Sequence, residues 1–267
     1  MKPISSVVID PALCVGCGLC AADCPAGVLQ IENGTAHVTR DCIGCGHCAA
    51  ICPQKAVSLP ELDMANLTEY DPDSFAVNPQ NLLNAMKYRR SVRHYQDKPV
   101  PVDVLTQILE AGRHAPTAKN VQDMQFLALQ ADLPAFRQAF WEAVPQLAAQ
   151  CEAEKPMVAR TLTRFAQSYQ NTGKDPLFFD APVLLIGFGG RLWDAGLAAG
   201  YMEVMAAANG VGILHDGYLQ YALSFLPQLL APYGLDQKAI TCCMLAGYPT
   251  YTYARTAPRK QAQYLIR

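Results

Sequence analysis

The chain has 267 residues, a hydrophobic share of 51% and a formal net charge of −2. That length suits one small domain and one of ordinary size, and that share allows a large core. A charge so close to zero gives no global case for nucleic acid or for a membrane surface.

The charge is unevenly spread. Residues 1–60 carry three basic and four acidic side chains, residues 61–76 five acidic and none basic, and residues 77–267 eighteen basic and fourteen acidic. The acidic stretch (Glu61, Asp63, Glu69, Asp71, Asp73) includes Pro60 at its edge and Pro72 within, and reads as a linker. It separates a small domain at 1–60 from a larger one at 77–267. The start, Met1 to Asp10, lacks the basic and long apolar stretches of a signal peptide. The most apolar long segment, Leu197 to Leu214, contains Glu203, Asn209 and several glycines, so it reads as a buried helix and turn, not a membrane span. The expected location is a reducing cytoplasm.

Val7 to Ile9 is a short predicted strand. Eight of the eleven cysteines follow in two copies of one pattern. Cys14, Cys17, Cys20, Cys24 and Pro25 form the first, and Cys42, Cys45, Cys48, Cys52 and Pro53 the second. Both read C-x2-C-x2-C-x3-C-P. Three thiolates on a tight loop can wrap three irons of a cube, and the fourth iron needs a ligand from elsewhere. Gly16, Gly18, Gly44, Gly46, Ala21 and Ala49 let the backbone come close and aim N–H groups at sulfur. Disulfides would need export. Zinc favours two cysteine pairs around one metal, not cysteines at i, i+3 and i+6. The stretch resembles bacterial-type ferredoxins, in which the fourth cysteine of each run ligates the other cluster. The resemblance implies one 4Fe–4S cluster on Cys14, Cys17, Cys20 and Cys52, and another on Cys42, Cys45, Cys48 and Cys24.

Val28 to Glu32 and Ala36 to Thr39 flank Asn33-Gly34, a hairpin signal. Ala56 to Leu59 is the closing strand of a small β-rich fold whose core is mostly the clusters.

The second domain interleaves helices and strands, which predicts a mixed α and β fold. Asn81 to Arg89 is helical and Val92 to Tyr95 extended. Val102 to Arg113 is an amphipathic helix with Asp103 as its cap. His114 to Gln122 is a polar loop, Gln125 to Gln130 a strand, and Pro134 to Gln170 mostly helical. Val183 to Gly187 is a buried strand. Trp193 to Asn209 is a nearly all-apolar helix expected at a central, buried position, ended by Gly210 to Gly212. Trp193, Tyr201, Met202 and Met205 read as core or dimer contacts. Gln220 to Leu230 carries another helix and Thr241 to Leu245 another strand, with Cys242 and Cys243 in the core. Neither this domain nor the first carries a G-x-G-x-x-G fingerprint after a strand, so Rossmann-type binding of NAD(P)H is not predicted.

Four pieces of this domain matter together. They are Arg89-Arg90-Ser91-Val92-Arg93-His94-Tyr95, then Ala115-Pro116-Thr117-Ala118-Lys119-Asn120-Val121-Gln122, then Ala181-Pro182 with its strand and the alanine-rich helix ending Asn209-Gly210-Val211-Gly212, and finally Leu245-Ala246-Gly247-Tyr248-Pro249 with a basic tail. Each alone is an ordinary helix end, loop, helix or turn. In this order they resemble the nitroreductase family of FMN-dependent oxidoreductases, and the whole chain resembles ferredoxin–nitroreductase fusions. The resemblance implies an α+β fold with a central, mainly antiparallel sheet flanked by helices, and FMN as cofactor beside the two clusters.

A phosphate dianion needs cationic or N–H donors from several segments. The family pattern assigns phosphate and ribityl contacts to Arg89, Arg90 and Ser91, with Arg93 beside them. It assigns the phosphate also to Arg259, with Arg255 and Lys260 as further candidates, and the flavin ring region to Asn120. Lys119 departs from the small residue usual at its position. The turn His215-Asp216-Gly217 would give main-chain N–H groups to the isoalloxazine, with Asp216 and His215 the candidates should a catalytic side chain be used. The expected activity is reduction of a nitro compound or quinone with electrons from a ferredoxin- or flavodoxin-type donor. The rivals are a flavin dehydrogenase exporting electrons through the clusters, and a non-catalytic electron-transfer or redox-sensing flavoprotein. The family pattern also implies a homodimer.

Overall fold

A computed structural model describes residues 7–267. Residues 1–6, part of the start read above as lacking a signal peptide, lie outside the described residues. The chain divides into two compact units: Met1–Ala76 with Thr117–Val121, and Val77–Pro116 with Gln122–Arg267.

In the first unit, β1 (Val8–Ile9) pairs antiparallel with β4 (Val57–Ser58), and β2 (Leu29–Glu32) with β3 (Thr35–Val38). Asn33 and Gly34 join the hairpin, both with positive φ, as a two-residue turn matched to strand twist requires. Two short helices were not expected from the sequence, α1 (Leu19–Ala22) and α2 (His47–Ile51). Each follows a glycine with φ near 80°, Gly18 and Gly46, so the cysteine repeat is a repeat of backbone shape as well. The buried core is small: Cys20, Val28, Leu29, Ala36, Cys48, Val57 and Leu59.

In the second unit, β5 (Gln125–Leu129), β6 (Val183–Phe188), β8 (Ile240–Gly247) and β7 (Gly212–His215) form one antiparallel sheet in that order. Side chains of a strand alternate between faces, and the alternation here separates two cores. Leu184, Ile186 and Phe188 of β6 join Cys243 and Leu245 of β8 on one face. Helices α5 (Leu133–Cys151), α6 (Pro156–Thr172) and α8 (Gly217–Leu223) contribute to that core. Val183 and Leu185 point the other way, with Cys242, Met244 and Ala246, towards α4 (Val102–Arg113) and α7 (Leu192–Ala208). All six residues of β6 are buried because both faces are covered.

Four expectations are corrected. Pro101, not Asp103, stands at the N-cap of α4; Asp103 lies inside the first turn, where it complements the helix dipole. The segment after α7 does not only end a helix but continues as β7. α8 starts at Gly217, where Asp216 caps it by accepting a hydrogen bond from Leu219 N (2.8 Å), and stops at Leu223. Finally, α7 is not buried throughout: Met202 is fully buried, but Trp193 is 79% exposed and Tyr201 is exposed too.

Candidate functional site

In the first unit one small cavity is lined by Cys14, Cys17, Cys20 and Cys52, among the apolar side chains Leu19 and Ile31. The first three cysteines come from one loop, and Cys52 from the far end of the second repeat. Backbone N–H groups already point at the sulfurs. Val28 N donates to Cys24 Sγ (3.4 Å) and, 28 residues on, Ala56 N to Cys52 Sγ (3.3 Å). Ala36 N donates to Cys14 Sγ (3.4 Å) and Gly44 N to Cys42 Sγ (3.2 Å). Such donors stabilise the thiolate that iron requires. Burial opposes them: it pushes the Cys20 thiol up, and the Cys48 thiol to about 11. Loading metal must therefore release protons from buried thiols. Backbone space is tight as well, since a Cβ on Gly16 would strike the Gly34 carbonyl. Among the described residues no three His, Cys, Asp or Glu side chains surround one metal-ion position; a cube instead spreads its ligands over four irons. The donor set fits two such clusters.

The second unit holds a cavity of about 350 Å³. Its walls include Arg89, Arg90, Glu203, Tyr88, Tyr251 and Tyr253. Arg89 is the C-cap of α3 (Pro79–Tyr88), a helix started by Asn78, whose side chain accepts from Asn81 N. The chain then runs extended beside β7: Ser91 bridges Ile213 in parallel, and Val92 N donates to Ile213 O (3.1 Å). Gly212 allows this approach, because a Cβ there would collide with Val92. With Val92 buried, Ser91 and Arg93 on either side of it are left exposed.

The other wall comes from the end of the unit. Gln96 N donates to Tyr248 O (2.8 Å), Gln96 Nε2 to Pro249 O (2.8 Å), and Thr250 N to His94 O (2.9 Å). Tyr88 Oη donates to Tyr253 O (2.6 Å). Residues 160 or so apart in sequence are thus laced into one rim.

Glu203, on α7, was not singled out as a site residue. It lies at this cavity with one nitrogen partner on each oxygen: Arg89 Nη1 at 3.1 Å from Oε1, and His215 Nε2 at 3.5 Å from Oε2. Burial raises its carboxyl, but His215 and Arg89 outweigh burial and hold it below the usual glutamate value. The only sequence signal was a charge inside an apolar helix.

The structure thus gathers Arg89 and Arg90 at one cavity, with Ser91, Arg93 and His215 on adjoining backbone. Arg93 packs 5.9 Å over the Phe179 ring. Asp216 is buried, and burial raises its carboxyl; its side chain serves the helix cap, and Gly217 beside it is exposed. Arg255, Arg259 and Lys260 are exposed in the tail. Asn120 groups with the first unit, and its Nδ2 donates to Gly44 O (2.7 Å). Lys119 and Asn120 both have positive φ, which in a non-glycine residue marks a constrained turn.

Residues 86–248 match the family model described as the nitroreductase family, and residues 6–58 match that of a 4Fe-4S dicluster domain. A protein of Methanothermobacter thermautotrophicus, provisionally named NADH dehydrogenase/NAD(P)H nitroreductase, is 36% identical over 53 residues. That match spans 20% of this chain and 28% of the relative's own length. Among solved structures, a nitroreductase from Bacteroides fragilis with bound FMN is similar at a TM-score of 0.57 and 20% identity, over 72% of this chain and all of that one. A nitroreductase with bound FMN from Desulfitobacterium hafniense gives 0.53 and 20%, again over 72% of this chain and all of its own. A BluB-like flavoprotein from Clostridium difficile gives 0.55 and 16% over the same shares. At these identities the likeness speaks for the fold. No helix among the described residues is long and apolar enough to cross a membrane.

Proposed function

This chain belongs to the nitroreductase family and carries a 4Fe-4S dicluster domain ahead of the family domain, and from that premise we propose that it takes single electrons from an external low-potential donor and reduces an organic acceptor. An FMN-dependent oxidoreductase with iron–sulfur electron transfer is what the two domains make together. The acceptor class is a nitro compound or a quinone, and the donor a small ferredoxin or flavodoxin.

The observation that carries this reading is the cavity with two arginines on its wall. Arg89 and Arg90 would bind the FMN phosphate, with Arg259 of the tail as a third cation and Ser91 as a hydroxyl donor. The planar fork of arginine suits a phosphate better than a point charge does. Arg93 would stand beside these ligands, and the main-chain N–H of Gly217 would orient the ring, that of Asp216 being engaged by Cys243 O (2.9 Å). Asn120, whose Nδ2 donates to Gly44 O, would serve the flavin ring region. Bound FMN supplies the conversion between one-electron and two-electron transfer. The thiolates of Cys14, Cys17, Cys20 and Cys52 would hold one cluster, and those of Cys42, Cys45, Cys48 and Cys24 the other. Apolar surface supports a homodimer. α3 has no buried residue and exposes Leu82, Leu83 and Met86, and α7 exposes Leu192 and Trp193. Exposed apolar area on this scale calls for a partner, and a second copy is the commonest one.

Protein purified without oxygen should contain about eight irons, about eight sulfides and about one FMN per chain. It should reduce a nitroaromatic when mixed with a reduced low-potential donor. Oxidation of a substrate with reduction of ferredoxin, and no nitroaromatic turnover, would instead set the direction outward. Cys24→Ala should damage the cluster of Cys42, Cys45 and Cys48 and spare the other, as read by electron paramagnetic resonance. Loss of only the Cys14 cluster would reverse the ligand assignment.

A further inference from the structure

We propose that Glu203 is a positioning residue for the phosphate end of the flavin site, acting through Arg89. The inference rests on the reading of Arg89 as a phosphate ligand. It starts from an oddity of α7. Around Glu203 the helix is alanine, methionine, glycine and valine, packed against the α4 side of the sheet. A carboxylate placed there is costly unless it is paired, and a buried ion pair is a poor source of net stability compared with apolar packing. The side chain of Glu203 is only 11% exposed, yet both of its oxygens are engaged, one by the Arg89 guanidinium and one by the His215 ring.

The geometry separates holding from binding. A guanidinium has five N–H donors in a rigid fork. Glu203 takes Arg89 Nη1 alone, so the remaining donors are left for an anion at the cavity. Arg89 is 37% exposed on a long, flexible side chain; without an anchor it would sample many rotamers, and binding would then have to order it. Glu203 removes that ordering cost in advance. Its own charge is offset by the Arg89 guanidinium, and its second oxygen is held by the His215 ring on β7, so it does not simply repel a dianion. His215 is there because of strand alternation. Ile213 faces the α7 side of the sheet, and residue 215, two further on, shares that face.

The test compares two ligands that differ only in the phosphate. Full-length protein freed of flavin is titrated with FMN and with riboflavin, following the quenching of flavin fluorescence. The unsubstituted protein should prefer FMN. Glu203→Gln, which keeps the shape and removes the charge, should weaken FMN about tenfold, as loss of a supporting contact typically does, and leave riboflavin unchanged. In the Arg89→Ala background the same change should add nothing, because Glu203 would have no arginine to hold. Equal weakening of both flavins would make Glu203 a general packing residue and overturn the proposal. So would unchanged or tighter FMN binding, the latter making Glu203 a competitor of the phosphate. If the unsubstituted protein does not prefer FMN, the phosphate reading of Arg89 falls, and this proposal with it. Should Glu203→Gln lose its fold, Glu203→Asp keeps the charge but withdraws it by one methylene. The expectation is then the same selective loss of FMN, with the same outcomes counting against it.

Discussion

The two units of this molecule are held together in different ways. In the second, the largest fully buried side chains are those of an ordinary core: Phe140, Phe178 and Phe188 with leucines and isoleucines, on two faces of a sheet. Edge-to-face packing of Phe140 on Phe178 and Trp141, with centroids 5.3 Å apart, adds direction to that burial. Among the described residues of the first unit, the core cluster of seven has two cysteines and no aromatic side chain. Its strands are two to four residues long, too short for independent sheets. The difference teaches that one unit has a core made of side chains, while the other needs metal to complete it.

The largest expected effect follows directly. Stripping iron and sulfide under anaerobic chelation should unfold the first unit and leave the second standing. Backbone amide spectra should show collapse of the dispersed resonances of residues 7–58 alone. A first unit that stays folded without iron would break the comparison.

A smaller effect is expected inside the second unit. Phe178→Ala empties a site that is fully buried between α5 and the sheet, and should cost about 3–5 kcal/mol. Thermal unfolding of the second unit should move down by several degrees at unchanged iron content. Equal loss of iron would mean that the two cores are not independent.

The smallest effect is electrostatic. Glu203 has its folded value lowered below the ordinary 4.5 by His215 and Arg89, against burial. A lowered carboxyl stabilises the native state above the unfolded value, and that contribution fades as pH falls through the folded one. Below about pH 4.5 the native protein should therefore lose stability with acid faster than Glu203→Gln does. Parallel acid curves for the two proteins would show that the pair contributes nothing to stability.

The second unit was legible where pattern alone decides. α4 occupies residues 102–113 as its apolar spacing requires, and β6 and β8 contain the apolar runs that predicted them and extend beyond them. In the first unit, the paired cysteine runs and the Asn33-Gly34 turn were equally plain. β7 was missed because four residues, Gly-Ile-Leu-His, carry too little periodicity; its existence depends on pairing with β8. α7 was expected to be buried because composition says how apolar a helix is, not how many of its sides are covered.

Sequence by itself determined the chemistry that spacing encodes: thiolates at fixed intervals, and three arginines gathered with a serine in the five residues 89–93. Only the tertiary structure decided which distant groups meet. Arg89 and Glu203 are 114 residues apart, and Tyr88 and Tyr253 are 165 apart. Asn120 and Gly44, joined by a hydrogen bond, are 76 residues apart. The physical reason is that motifs are local, being set by backbone geometry over a few residues. Ion pairs and cavities form where separate elements are packed together by burial, and no local pattern records which neighbour burial will select.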